Sequence, residues 1–173
     1  MRDYLLIYVN GRRHKISSER CFQSLSDYLR QDLGLVGTKV VCAEGDCGSC
    51  TVLVGRIRNG GLKFEGLDSC IQYLYQLDCT HVISVEGLKQ GNQIHPVQQA
   101  MVDAMGSQCG YCTPGFVMSM AAMLENKETL TRQSVQDGLT GNLCRCTSSV
   151  TLYANRSGFV PDWLCSAKRP PSF

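Results

Sequence analysis

The sequence predicts an α+β fold, with strands and one helix in its first half and helices alone in its second. Three observations carry this. Asn10-Gly11 divides two extended stretches in "YLLIYVNGRRHKIS", a strong hairpin signal. "TVLVGRIRNGGLKFEG" repeats the pattern around Asn59-Gly60-Gly61. Beyond Asn92 the β-branched runs fade, and segments rich in Ala, Met and Gln take over.

The elements follow in order. After the first hairpin, "SLSDYLRQDLG" reads as a helix. Ser24 caps it with Asp27 three residues on, Leu25, Tyr28 and Leu29 share a face, and Gly34 ends it. A cysteine-rich loop comes next, then the second hairpin. "HVISVEGL" at 81–88 is one further strand. "HPVQQAMVDAMG" is a helix with Pro96 in its first turn and Gly106 at its end. "PGFVMSMAAMLEN", from Pro114, is another, and its Met118, Met120 and Met123 read as gap-filling core. "TRQSVQDGL", from Thr131, is a shorter third helix. These make a small helical bundle, with the break near Gly87–Asn92.

Composition excludes several function classes. With 43% hydrophobic and 18% charged residues the chain is globular. A net charge of +2 argues against a nucleic-acid binder acting through bulk charge. No apolar run is long enough to span a bilayer. The N-terminal apolar run carries an acid and no small-residue cleavage site, so it reads as a strand, not a signal peptide. The expected compartment is therefore the cytoplasm. There, eleven cysteines are expected as metal ligands and core residues, not as disulfides.

Eight cysteines form two sets. Cys42, Cys47 and Cys50 are spaced C-x4-C-x2-C, with Cys70 further on, the ligand order of a plant-type [2Fe–2S] cluster. Three thiolates on one loop reach two irons only if the backbone turns sharply, and Gly45 and Gly48 permit that. Cys109, Cys112, Cys144 and Cys146 form the second set, a C-x2-C and a later C-x-C. Four thiolates also hold zinc. The x4 arm favours iron–sulfur for the first set; spacing alone leaves both metals open for the second. Cys21 and Cys79 read as buried small hydrophobes, and Cys165 has no assigned role. His14, His81 and His95 read as packing or surface residues, and Lys39 and Glu44 as ordinary loop charges.

Taken together, the motifs resemble the iron–sulfur subunit or domain of the molybdenum hydroxylases, the xanthine dehydrogenase and aldehyde oxidase family. "GTKVVCAEGDCGSCTVLV" (37–54), "SCIQYL" (69–74), "ISVEGL" (83–88), "HPVQQAM" (95–101), "GSQCGYCTPGFVMSM" (106–120) and "GNLCRCT" (141–147) carry the resemblance. It implies a β-grasp ferredoxin-like domain over 1–88, holding the first [2Fe–2S] cluster on Cys42, Cys47, Cys50 and Cys70. It implies a four-helix-bundle domain over 89–147, holding a second on Cys109, Cys112, Cys144 and Cys146. Gln108 matches a glutamine that contacts the pterin of a molybdenum cofactor, and Cys146 would be the ligand nearest it. Molybdenum–pterin and FAD would reside on partner chains or on domains outside this sequence: a large molybdenum-binding subunit and an FAD-binding subunit or domain. Electrons would pass one at a time from molybdenum through the two clusters to FAD. Two oxidised clusters, each about −2 with its thiolates, would shift the formal +2 to about −2. The substrate site would lie elsewhere, so an aldehyde, carbon monoxide or aromatic hydroxylase would carry a similar chain. A stand-alone ferredoxin is the alternative of a different class.

Two departures stand out. Val41 occupies a position that is glycine in many relatives. After "GNLCRCT" the expected Gly-Tyr is replaced by Ser148-Ser149, and residues 148–173 show no helical period. That tail reads either as a divergent, disordered segment or as a frame shift or truncation ahead of an FAD domain. "NRS" at 155–157 matches a glycosylation sequon, which a cytoplasmic chain would not use.

Overall fold

A computed structural model describes residues 2–126 and 130–146. The tail features named above, from Ser148 to the sequon and Cys165, lie outside the described residues.

The first hairpin forms as the sequence requires. β1 (Leu5–Val9) and β2 (Arg12–Ile16) pair antiparallel across Asn10 and Gly11, whose φ values of 48° and 78° make the turn. α1 (Leu25–Asp27) starts on Ser24, whose hydroxyl accepts from the Asp27 N–H at 3.1 Å. It continues over Tyr28–Asp32 as a wider π turn, closed by Leu33 N–H on the Tyr28 carbonyl at 3.1 Å. Leu25, Tyr28 and Leu29 are buried on its one apolar face.

β3 (Thr51–Arg58) and β4 (Gly61–Asp68) form the second hairpin. Its turn is Asn59-Gly60 alone, because Gly61 already pairs with Arg58. β5 (Thr80–Ile83) is shorter than the 81–88 expected. At Ser84 the strand gives way to a single helical turn, Val85–Leu88. There the Asn10 side chain takes over the ladder, accepting from Ser84 N–H at 2.9 Å and donating to the Ser84 hydroxyl at 2.9 Å.

The five strands lie in the order β2-β1-β5-β3-β4, with β1 parallel to β5 and the other pairs antiparallel. α2 (Pro96–Asp103), α3 (Thr113–Glu125) and α4 (Arg132–Gly138) follow. α3 lies across β3 and β4, with α2 and α4 against its flanks.

The sheet is thus covered on both faces, which explains why "TVLV" is apolar at every position but the first. Val52, Val54 and Val82 face one core with Ile7, Leu25 and Leu29. Leu53 and Ile83 face the other with Phe116, Met118 and Val135. Met118, Met120 and Met123 are core residues, at 0%, 6% and 9% exposure. Asn126 fastens the end of α3 to the sheet edge. Its amide accepts from Phe64 N–H at 3.1 Å and donates to the Phe64 carbonyl at 2.6 Å.

Candidate iron–sulfur centres

The first cysteine group grows from a loop that reverses three times. Ala43, Gly45 and Gly48 have φ values of 60°, 77° and 68°. The coil turns backbone N–H groups of Glu44, Asp46 and Cys47 toward the Cys42 sulfur, with the Cys47 thiol beside it. These donors pull the Cys42 thiol down to about 6. Cys50 ends the loop and opens β3.

Cys70 follows β4, and the pairing of Thr51 with Asp68 puts Cys50 and Cys70 at one end of the hairpin. A hairpin, not sequence proximity, therefore supplies the fourth cysteine. Ser69 locks this end, its hydroxyl donating to the Cys50 carbonyl at 2.8 Å. Burial pushes the Cys50 thiol up to about 12, and the adjacent Cys70 thiol adds to the rise.

The second group frames the start of α3. Cys112 caps that helix, its carbonyl accepting from Phe116 N–H at 3.2 Å. Cys109 lies in the preceding turn, bracketed by a 2.8 Å bond between the Ser107 and Thr113 hydroxyls. Cys144 and Cys146 arrive from beyond α4. The Tyr111 N–H, then the Cys146 thiol, hold Cys109 below the usual thiol range. The Cys109 contact raises Cys146 in turn. Burial, reinforced by the Cys144 thiol, pushes Cys112 up to about 12.

In each group the thiols fall into contacting pairs. Cys42 meets Cys47, and Cys50 meets Cys70. Cys109 meets Cys146, and Cys112 meets Cys144. Among the described residues no three His, Cys, Asp or Glu side chains gather as a single-ion site requires. Four cysteines in each group match the ligand number of a [2Fe–2S] core. The donor set fits that cluster at both places.

The remaining candidates fall out as follows. Gln108 is exposed next to Cys109. No histidine joins either group. His14 Nδ1 bonds the Tyr28 hydroxyl at 3.0 Å, and His81 Nε2 accepts from Gly11 N–H at 3.1 Å. His95 Nδ1 accepts from Val97 N–H at 3.3 Å to cap α2. Lys39 donates to the Val36 carbonyl within its own loop. Cys21 is half-buried against the core, as expected. Cys79 is not a buried hydrophobe; it is exposed. Its φ of 57° turns it out of the sheet, and the Arg2 guanidinium reaches its sulfur at 3.2 Å. Sequence reasoning missed Asn142, which it met only as part of "GNLCRCT". It is 3% exposed and joins the two cysteine groups. A polar residue next to a cysteine pair was its only signal.

Comparison with known proteins agrees with this geometry. A 2Fe-2S iron-sulfur cluster binding domain model matches residues 7–82, and a [2Fe-2S] binding domain model matches residues 84–154. Xanthine dehydrogenase of Oryza sativa subsp. japonica is 45% identical over 148 residues, which cover 82% of this chain and 11% of that protein. The chain thus spans about a tenth of the length of this curated relative. Two solved structures are similar. Aldehyde oxidoreductase from Desulfovibrio gigas matches with a TM-score of 0.70 and 34% identity, covering 83% of this chain and 15% of that one. Quinoline 2-oxidoreductase from Pseudomonas putida 86 matches with a TM-score of 0.72 and 30% identity, covering 95% of this chain and 96% of that one. Two adjacent cluster-binding domains, paired thiols at both sites and a likeness running the full length of a solved chain lead to one conclusion: the chain belongs to the two-cluster iron–sulfur subunits and domains of the molybdenum hydroxylase family.

Proposed function

We propose that the chain is the electron-conducting part of a xanthine dehydrogenase-like molybdenum hydroxylase. The observation that carries this is the division of eight thiols into two groups of two pairs, in a chain with two cluster-binding domains. Cys42, Cys47, Cys50 and Cys70 hold the first cluster; Cys109, Cys112, Cys144 and Cys146 hold the second. Bound there, [2Fe–2S] clusters supply one-electron carriage.

The chain's own residues supply the rest. Backbone N–H groups of the 43–48 coil stabilise negative charge on the Cys42 sulfur. Burial of Cys50 and the half-burial of Cys112 keep water from one side of each centre. Cys109, Cys146 and Gln108 are exposed, and this edge faces a molybdenum–pterin partner, with Gln108 as the pterin contact. The first centre faces an FAD-binding partner. The mixed sheet supports a β-grasp domain over 1–88. Over 89–147 the described residues hold three helices, α2, α3 and α4, one fewer than the expected four-helix bundle; this helical domain carries the second centre, and the whole works in the cytoplasm. No helix among the described residues is long and apolar enough to cross a membrane. The full-length likeness to a quinoline 2-oxidoreductase chain favours a second reading, the same conducting role in an aromatic hydroxylase.

Electron paramagnetic resonance of the dithionite-reduced chain tests the proposal. Two distinct [2Fe–2S] signals are expected. Zinc without iron by elemental analysis would overturn it.

A further inference from the structure

The two cysteine groups touch through backbone. Leu143 N–H donates to the Cys47 carbonyl at 3.0 Å, and Leu143 is bonded directly to Cys144. One hydrogen bond therefore joins a residue of the first group to the chain neighbour of a residue of the second.

Three neighbours enforce that contact. The Asn142 amide donates to the Gly48 carbonyl at 3.0 Å, wholly out of solvent. Gly48 holds φ +68°, and a Cβ there would overlap the Gly141 carbonyl. Gly115, in the first turn of α3, lies so close that its Cβ would overlap the Gly48 carbonyl oxygen. A bulkier residue at Gly48 or Gly115 would push the 47–50 loop away from the 141–144 segment. Asn142 supplies the directional bond that holds the two together.

We propose that Asn142 is a positioning residue for electron passage between the two centres. It clamps the first ligand loop to the chain leading into Cys144, so that Cys144, Leu143 and the Cys47 carbonyl form a continuous bonded route. This rests on both groups carrying [2Fe–2S] clusters. The step is one electron: the reduced second cluster loses it, the oxidised first cluster gains it, and no proton or atom moves. The reductant is the molybdenum partner in the complex, or a radiolytic radical in the test. The Asn142 amide is neutral and its bond is to the Gly48 carbonyl, so it acts through geometry and not through charge.

The test uses the full chain with both clusters, as wild type and as Asn142→Ala. A wild type without two [2Fe–2S] signals refutes the proposed function itself. With both signals present, pulse radiolysis reads the rate at which an injected electron redistributes, and pulsed resonance reads the distance between centres. Asn142→Ala is expected to speed deuterium exchange of the Leu143 amide about fivefold, the factor one neutral hydrogen bond is worth, and to slow redistribution. The cluster distance and both midpoint potentials should stay unchanged. An unchanged rate overturns the proposal. Should Asn142→Ala fail to hold both clusters, Asn142→Ser keeps a hydroxyl donor and should give an intermediate rate; a wild-type rate there, with the Leu143 amide unprotected, overturns it. In the wild type the Leu143 amide must resist deuterium exchange, and rapid exchange there overturns the proposal whatever the variants do.

Discussion

Replacing Gly48 with alanine tests whether the contact between the cysteine groups is structural glue. Gly48 has φ +68°, where a Cβ costs about 1–2 kcal/mol. The new methyl would also meet the Gly141 carbonyl and the Asn142 amide, so the 141–143 segment must move away. That breaks two bonds, Asn142 Nδ2 to the Gly48 carbonyl and Leu143 N–H to the Cys47 carbonyl. At about 1 kcal/mol each, the total is about 3–4 kcal/mol. Gly60→Ala is the control: its φ is +75°, but a Cβ there meets nothing within 4 Å. It should cost only the backbone term, about 1–2 kcal/mol. Urea unfolding gives both values, and resonance of the reduced proteins counts the clusters. Gly48→Ala should lose stability beyond Gly60→Ala and weaken the second-cluster signal, because Cys144 follows the displaced segment. Equal stability in the two variants, with both clusters intact, would refute the reasoning.

Three further outcomes are expected. Phe116, 1% exposed at the centre of the helical core, should cost about 3–5 kcal/mol when changed to alanine, read by urea unfolding of the cluster-loaded protein. Burial lowers His81 from 6.5, and burial with the Arg12 charge lowers His14. The unfolded chain then takes up protons first, so stability is intact above about 6.5 and falls as pH drops below it. Unfolding midpoints across that range should show the loss, and His81→Gln should flatten it. Removing iron should abolish the cooperative melt, since metal binding at eight thiolates is coupled to folding; a native-like calorimetric transition in metal-free protein would contradict this.

Local chemistry made much of the molecule legible in advance. Asn10-Gly11 and Asn59-Gly60 need no distant partner to turn the chain, because left-handed backbone is written into the residues. Ser24 and Thr131 mark helix starts through bonds made within one turn, and Pro96 marks one through its fixed φ. The spacing of Cys42, Cys47 and Cys50 implies one tight coil. Where β5 ends was not legible, because Ser84 finds its partner in Asn10, a residue of the first hairpin. Nor was the exposure of Cys79, which follows from one left-handed turn and a guanidinium far away in sequence.

By itself the sequence determined the cysteine inventory, the turns and the two successive compositions, since each rests on contacts a few residues long. Only the tertiary structure decided how the halves meet. α3 seals the sheet's second face, the β3–β4 hairpin carries Cys70 to Cys50, and buried Asn142 stitches one cysteine group to the other. Those contacts join residues far apart in the chain. Packing geometry selects them, and no local propensity encodes it.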